Sequence, residues 1–384
     1  MRRVLGFTLV GLGAFAVVLG LLLRGYLYPT LAKLPLDPAN PDPGRPNQQQ
    51  RASTVLVAEG ATYLDRGTGR PVDHRTLTLR VKVAGDLTAP ESKVNGDVAV
   101  WRTGTTVMDG DTKISVTTVS ACLDRHTGMA VADCSRASVT SDDRTTDPAG
   151  ITGLVDTFPF GTQKKDYPYY DSVILAAVPM RYSGTDTVNG LPVYRFVQDI
   201  PPTQAQEVQV PGDLVGGDPS QLVNAHLFYQ NRRVVWVEPV SGVIVKDQED
   251  MRETLRGPDN REGAVALAGP FVMTPESVRD LTDQAVTAKR QLLLLSGTGP
   301  TALVLGGLLL ALLGVALVAW PRRGRRRTVP ARPGGEATTP ETTTPEAATP
   351  DAAPPVGSSA LVRGRDAPPR QWSPPDEVAH TPNP

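Results

Sequence analysis

VLGFTLVGLGAFAVVLGLLL (Val4–Leu23) and TALVLGGLLLALLGVALVAW (Thr301–Trp320) decide the architecture of this chain. Neither stretch holds a charged residue. As a helix rising about 1.5 Å per residue, each is long enough to cross the roughly 30 Å hydrocarbon core of a bilayer. Both read as transmembrane helices. Arg2 and Arg3 precede the first, and Arg322, Arg323, Arg325, Arg326 and Arg327 follow the second. Basic residues stay on the cytoplasmic side, so the pattern predicts both termini inside and the central domain extracytoplasmic.

A cleavable signal peptide also begins with a basic segment and an apolar run. This run is longer than a signal core, and it continues as Arg24-Gly25-Tyr26-Leu27-Tyr28-Pro29 with no small-x-small cleavage site. A retained anchor is the expectation. Tyr26 and Tyr28 suit the outer interface, where a ring finds both apolar and wet surroundings. Small residues one turn apart, Ala16 with Gly20 and Gly307 with Ala311, would let the spans pack against each other or against a second copy in a homo-oligomer.

Between the spans the composition changes twice. Residues 1–28 form the anchor, and 29–50, around LPLDPANPDPGRPNQQQ, are too rich in Pro and polar residues to pack and read as a spacer. Residues 51–270 alternate apolar and polar side chains, as in RTLTLRVKV (Arg75–Val83), KISVTTVSACL (Lys113–Leu123), LPVYRFVQDI (Leu191–Ile200) and RRVVWVEPV (Arg232–Val240). Period-two runs separated by Gly, Asn and Asp predict half-buried antiparallel strands. The fold class expected is a mainly β ectodomain, a curved sheet or half-barrel, between two helices. Segments 140–150 and 201–221 lack alternation and read as surface loops. Thr274-Pro275-Glu276 has the order of an N-cap, a first-turn proline and an acid, and starts a stalk helix over 274–295. Ser296 to Pro300 should break it ahead of the second span at 296–320. The tail, 321–384, is rich in Pro, Thr and Ala and is expected to be disordered in the cytoplasm.

One turn signature recurs. Asp65 with Gly69, Asp124 with Gly128, and Glu238 with Pro239 and Gly242 share an acid, a Thr or Ser and then a Gly. A four-residue hairpin loop explains it: the acid accepts turn N–H groups and the glycine supplies a positive φ. A catalytic or metal cluster of these acids is the weaker reading. The only two cysteines, Cys122 and Cys134, lie in the external domain and predict a disulfide. In the hairpin register Cys122 faces Val131, so the bridge requires the return strand to bend before Cys134. His74, His126, His226 and His380 are scattered, and no nucleophile, zinc or nucleotide motif is present, so no enzyme, cofactor or metal site is indicated. The net charge of −1 gives no sign of nucleic-acid binding. The densest unusual stretch holds Lys164, Lys165, Tyr167, Tyr169 and Tyr170, which suit either an interaction surface or a structural corner of buried tyrosines.

The two-span layout, FPFGTQKKDYPYYD (Phe158–Asp171), NGLPVYRFVQDIP (Asn189–Pro201) and VWVEPVSGVIVKDQED (Val235–Asp250) together resemble the actinobacterial porin PorA family. That resemblance implies a pore, in the plasma membrane of a bacterium. The Asn-Gly hairpin and the W-V-E-P-x-S-G hairpin are also similar to periplasmic lipoprotein-carrier half-barrels, which implies a concave sheet for an acyl chain. The expectation is a non-catalytic binding or scaffold domain of the cell envelope, for which the half-barrel likeness implies a lipid or glycolipid partner. The alternatives are a pore component and, behind it, an extracytoplasmic enzyme.

Overall fold

Alternating side chains become twelve antiparallel strands in the computed structural model, which describes residues 2–39, 53–94, 96–142, 144–146 and 150–320. The first six are β1 (Thr54–Asp65), β2 (Arg70–Gly85), β3 (Val98–Asp109), β4 (Thr112–Asp124), β5 (Ser138–Ser141) and β6 (Arg144–Thr146). The second six are β7 (Tyr167–Asp171), β8 (Ala176–Val188), β9 (Leu191–Pro211), β10 (Leu222–Val237), β11 (Ile244–Arg256) and β12 (Glu262–Met273). They form one sheet in the order β6-β5-β4-β3-β2-β1-β12-β11-β10-β9-β8-β7. Each half is a meander, the halves join where β1 pairs with β12, and the sheet curls into a half-barrel.

At one end the chain after β4 is laced to the β7 edge. Val131 N–H donates to Cys122 O, Ala130 N–H to Gly153 O, Leu154 N–H to Pro168 O, and Tyr170 N–H to Leu154 O. Segment 150–166 thereby bridges the end of β4 to β7 through isolated pairings at Leu154.

Among the described residues five α-helices accompany the sheet: α1 (Arg2–Leu22), α2 (Tyr28–Leu31), α3 (Pro90–Val94), α4 (Pro275–Ser296) and α5 (Thr298–Ala319). A π-helical turn, Leu23–Leu27, joins α1 to α2. Two helical stretches, Arg2–Leu31 and Pro275–Ala319, are long and apolar enough to cross a membrane. The Thr274 side chain caps α4 by accepting from Ser277 N–H, and the helix breaks at Gly297, where φ is −122° and ψ −84°. Helices α1 and α5 pack antiparallel through residues seven apart: Gly6, Gly13 and Gly20 against Pro300, Gly307 and Gly314. A Cβ on Gly13 would lie 2.4 Å from Gly307 O. The close approach therefore exists because these positions lack side chains.

Three sequence expectations change. The spacer begins as a docked segment, since Leu34 is buried and bonded to Arg125 O while the Trp101 indole donates to Pro35 O. The spacer from residue 40 to 50, and the tail at 321–384, lie outside the described residues. Residues 201–211 continue β9 as a hairpin with β10, and Ser138–Ser141 and Arg144–Thr146 supply β5 and β6. Finally, α4 packs along one face: Ser277, Val278, Thr282, Ala285 and Leu292 are buried.

Candidate functional site: the concave face

Strands β7 and β10 are separated by two strands, about 14 Å along a sheet with 4.8 Å spacing. Yet an Asp171 carboxylate oxygen on β7 lies 3.5 Å from the Arg233 guanidinium on β10. Only a curl closes that distance, so both side chains occupy the concave face. On the other flank Thr103 of β3 donates to Asp156 at 2.7 Å, and Arg66 pairs with Asp142 between the β1–β2 and β5–β6 turns.

The register sets a row of Gln198, Arg233 and Glu249 across β9, β10 and β11. Arg233 bonds the Glu249 carboxylate with two nitrogens, at 2.9 and 3.2 Å, and Gln198 Oε1 at 2.9 Å. Asn231 donates to Glu249 and to the Tyr229 hydroxyl, which donates in turn to Asp171. Gln198 Nε2 donates to Tyr169 O, and the Arg233 guanidinium stands 5.7 Å over the Tyr169 ring. Burial works against the charge of Arg233, but Glu249, Tyr229 and Asp171 hold its pKa well above the ordinary value. The acids move the other way. Burial raises Asp171 against the pull of Arg233, and burial with the Glu249 charge raises Asp247 strongly. Burial also pushes Asp156 up to about 6 and Glu253 up to about 7. The middle of the concavity is thus polar, hydrogen-bonded and poor in countercharge.

Its helix end is apolar. Phe158, on segment 150–166 and outside any strand, is fully buried with Leu154, Tyr167, Tyr169, Met180, Phe196, Val235 and Val237. Its ring centroid lies 4.7 Å from that of Phe196 and 5.4 Å edge-on from that of Tyr167. Offset and edge-to-face contacts are the favourable ones for quadrupolar rings.

The sequence-derived residues fall into separate places. Asp65 accepts from Gly67 N–H and Thr68 Oγ1, Asp124 from Thr127 N–H and Oγ1, and Glu238 from Val240 N–H, Ser241 N–H and Ser241 Oγ. Gly69, Gly128 and Gly242 have φ of 64°, 71° and 72°. All three motifs are therefore one turn, with Pro239 inside the third. By register, Asp65 sits at the opposite end of the sheet from Asp124 and Glu238, so the acids do not form one cluster. Cys122 and Cys134 are bridged, with Cα atoms 5.7 Å apart. The bridge closes because the chain pairs with Cys122 only through Val131 and then bends. Tyr167, Tyr169 and Tyr170 are buried, while Lys164 and Lys165 are exposed and lie over the Tyr194 and Tyr167 rings. The five residues do not share one surface.

Sequence reading missed the Arg233 network. Asp247, Glu249 and Glu253 alternate with Lys246, Gln248, Asp250 and Arg252, so both faces of β11 look solvated. The spacing of two among the acids was the available signal.

A curled antiparallel half-barrel with a charged concave face, carried on two apolar helices, defines a membrane-associated β-domain protein. A family model described as Porin PorA matches residues 5–316, and the chain belongs to that family. It is similar to a Porin PorA of Corynebacterium amycolatum, 28% identical over 311 residues that cover 65% of this chain and 78% of the relative. It is also similar to a Porin PorA of Corynebacterium resistens, 24% identical over 408 residues that cover 85% of this chain and 99% of the relative. The family match overturns the expectation of a binding or scaffold domain for lipid or glycolipid. The concave face gives the physical reason: an acyl chain needs an apolar lining, and Arg233, Asp171 and Glu249 occupy its centre.

Proposed function

We propose that the protein is a pore or channel component of a bacterial envelope membrane and not an enzyme. In this reading α1 and the segment through α5 span the plasma membrane with both termini cytoplasmic, and the half-barrel is an extracytoplasmic vestibule. The observation that carries the reading is the family match over residues 5–316, and the charged concave face agrees with it. Water and ions enter a passage whose walls offer hydrogen bonds and fixed charge more readily than an apolar one. The glycine contact of α1 with α5 leaves no space for a pathway between them, and their apolar stretches carry no ionisable residue. A conducting path through the bilayer therefore takes more than one copy, arranged with these helix pairs around it.

Purified full-length protein in a planar bilayer tests the reading. Stepwise conductance that grows with salt concentration is expected, lost on deletion of the ectodomain. No conductance across a range of protein and salt concentrations sinks it.

A further inference from the structure

We propose that segment 150–166 is a gate, in which Phe158 stoppers the helix end of the curled sheet and its withdrawal opens the concavity toward the membrane helices. This rests on the pore reading. Phe158 is seated in the apolar cluster at the helix end of the concave face, between the polar network around Arg233 and the turn at Glu238 that meets α4. The segment that carries it is not part of the sheet ladder. It is held by isolated pairings of Leu154 with Met129 and Tyr169, and by bonds from Phe158 N–H and Thr157 Oγ1 to Gly242 O and from Gly161 N–H to Val240 O. Parting from the sheet breaks these single bonds and not a continuous ladder, and it exposes the buried Leu154 and Phe158.

The repeated turn explains how the stopper is held. Of its three copies, the two at the helix end clasp segment 150–166. A Cβ on Gly242 would lie 2.1 Å from Phe158 O, and one on Gly128 would lie 3.3 Å from Thr157 O. At Gly69, in the copy at the far end, a Cβ would meet nothing within 4 Å. The copy ending at Gly242 is also tied to the membrane segment, because Glu238 pairs with Lys289 of α4 at 3.1 Å. Movement of α4 thus reaches Phe158 through one ion pair and one turn. Such a discrete contact chain has the form of an element with two positions, closed as observed and open when the turn shifts.

Single-channel recording of the full chain tests the gate, with wild type, Phe158→Ala, Gly242→Ala and Gly69→Ala compared at one voltage and salt. Gly242→Ala and Gly69→Ala place the same strain on the same turn, since both glycines have positive φ, but only the first collides with the stopper. Phe158→Ala and Gly242→Ala are expected to raise the open probability about tenfold or more, the size of a modest shift in a two-state equilibrium. Gly69→Ala should match wild type. Phe158→Ala makes no backbone clash and carries the test alone if Gly242→Ala does not fold. Wild-type conductance with an unchanged open probability in folded Phe158→Ala overturns the gate and leaves the pore reading standing. Absence of conductance in every protein overturns both.

Discussion

Glu238 has lost all exposure, and its carboxylate is compensated for two reasons, the second of which separates it from Asp65 and Asp124. One oxygen accepts three bonds from its own turn, and the other faces Lys289 of α4. Sequence spacing revealed the first reason, since an acid three residues before a Ser and four before a Gly is a turn signal. The second joins positions 51 residues apart, and no local pattern encodes it. Removing one partner of a buried ion pair leaves the other uncompensated, at a cost of roughly 3–5 kcal/mol. Glu238→Ala also strips the acceptor from three turn donors and should sit within that range. Lys289→Met should cost less, about 1–2 kcal/mol, because the Glu238 carboxylate keeps its turn donors and the ammonium is partly exposed. Urea unfolding in detergent micelles, followed by tryptophan fluorescence, measures both. Equal stability of wild type and Glu238→Ala would show that the pair contributes nothing.

The helix pair shows how much an element can hide from sequence reading. The apolar runs were legible because a bilayer demands length and apolarity, both properties of a single strand of text. The contact was not, because it depends on a partner. Small residues four apart, Ala16 with Gly20 and Gly307 with Ala311, suggested close packing, whereas the observed contact repeats every seven residues on both helices. A seven-residue repeat is the period of antiparallel helices supercoiling left-handed about each other. Gly13 and Gly11 separate the two roles of glycine here. Gly13→Ile drives a branched side chain into Gly307 and Ala311 and should cost about 1–3 kcal/mol as overpacking. Gly11→Ile faces open space and should leave the melting temperature in micelles unchanged. Similar losses for the two would mean that glycine matters for helix geometry and not for the contact. The strands divide in the same way. Alternation marked β2, β4, β9 and β10 where apolar residues are dense, and failed over 201–211, where Gln and Glu dominate although Val208 and Val210 pack with Ala225, Leu227 and Leu255.

Across the whole molecule, the acids sort by how deeply they are buried, and this sets the pH dependence of folding. At the strand ends, hydrogen bonds from Gly67 and Thr68 lower Asp65, and the Arg75 guanidinium beside Asp109 lowers that carboxyl. A lowered acid contributes stability above its unfolded value that disappears as pH falls through its folded one. Inside the concavity the sign reverses. Burial, with the charges of Asp171 and Asp142, raises Glu253 from 4.5 to about 7, opposed weakly by Arg66. Below the unfolded value both states hold the proton and nothing is lost. As pH climbs from there toward the raised value, the unfolded chain ionises while the folded one cannot, and stability drains away over that window. At about 1.4 kcal/mol per pKa unit, Glu253 alone can remove up to roughly 3 kcal/mol by pH 8. Glu253→Gln, which cannot ionise, should match wild type at pH 4 and exceed it progressively up to pH 8. Denaturant titrations of both proteins at half-unit steps measure the difference. Parallel stability curves over that range would mean that Glu253 reaches water in the folded state, and that the concavity is wetter than the packing around Tyr229 and Leu267 implies.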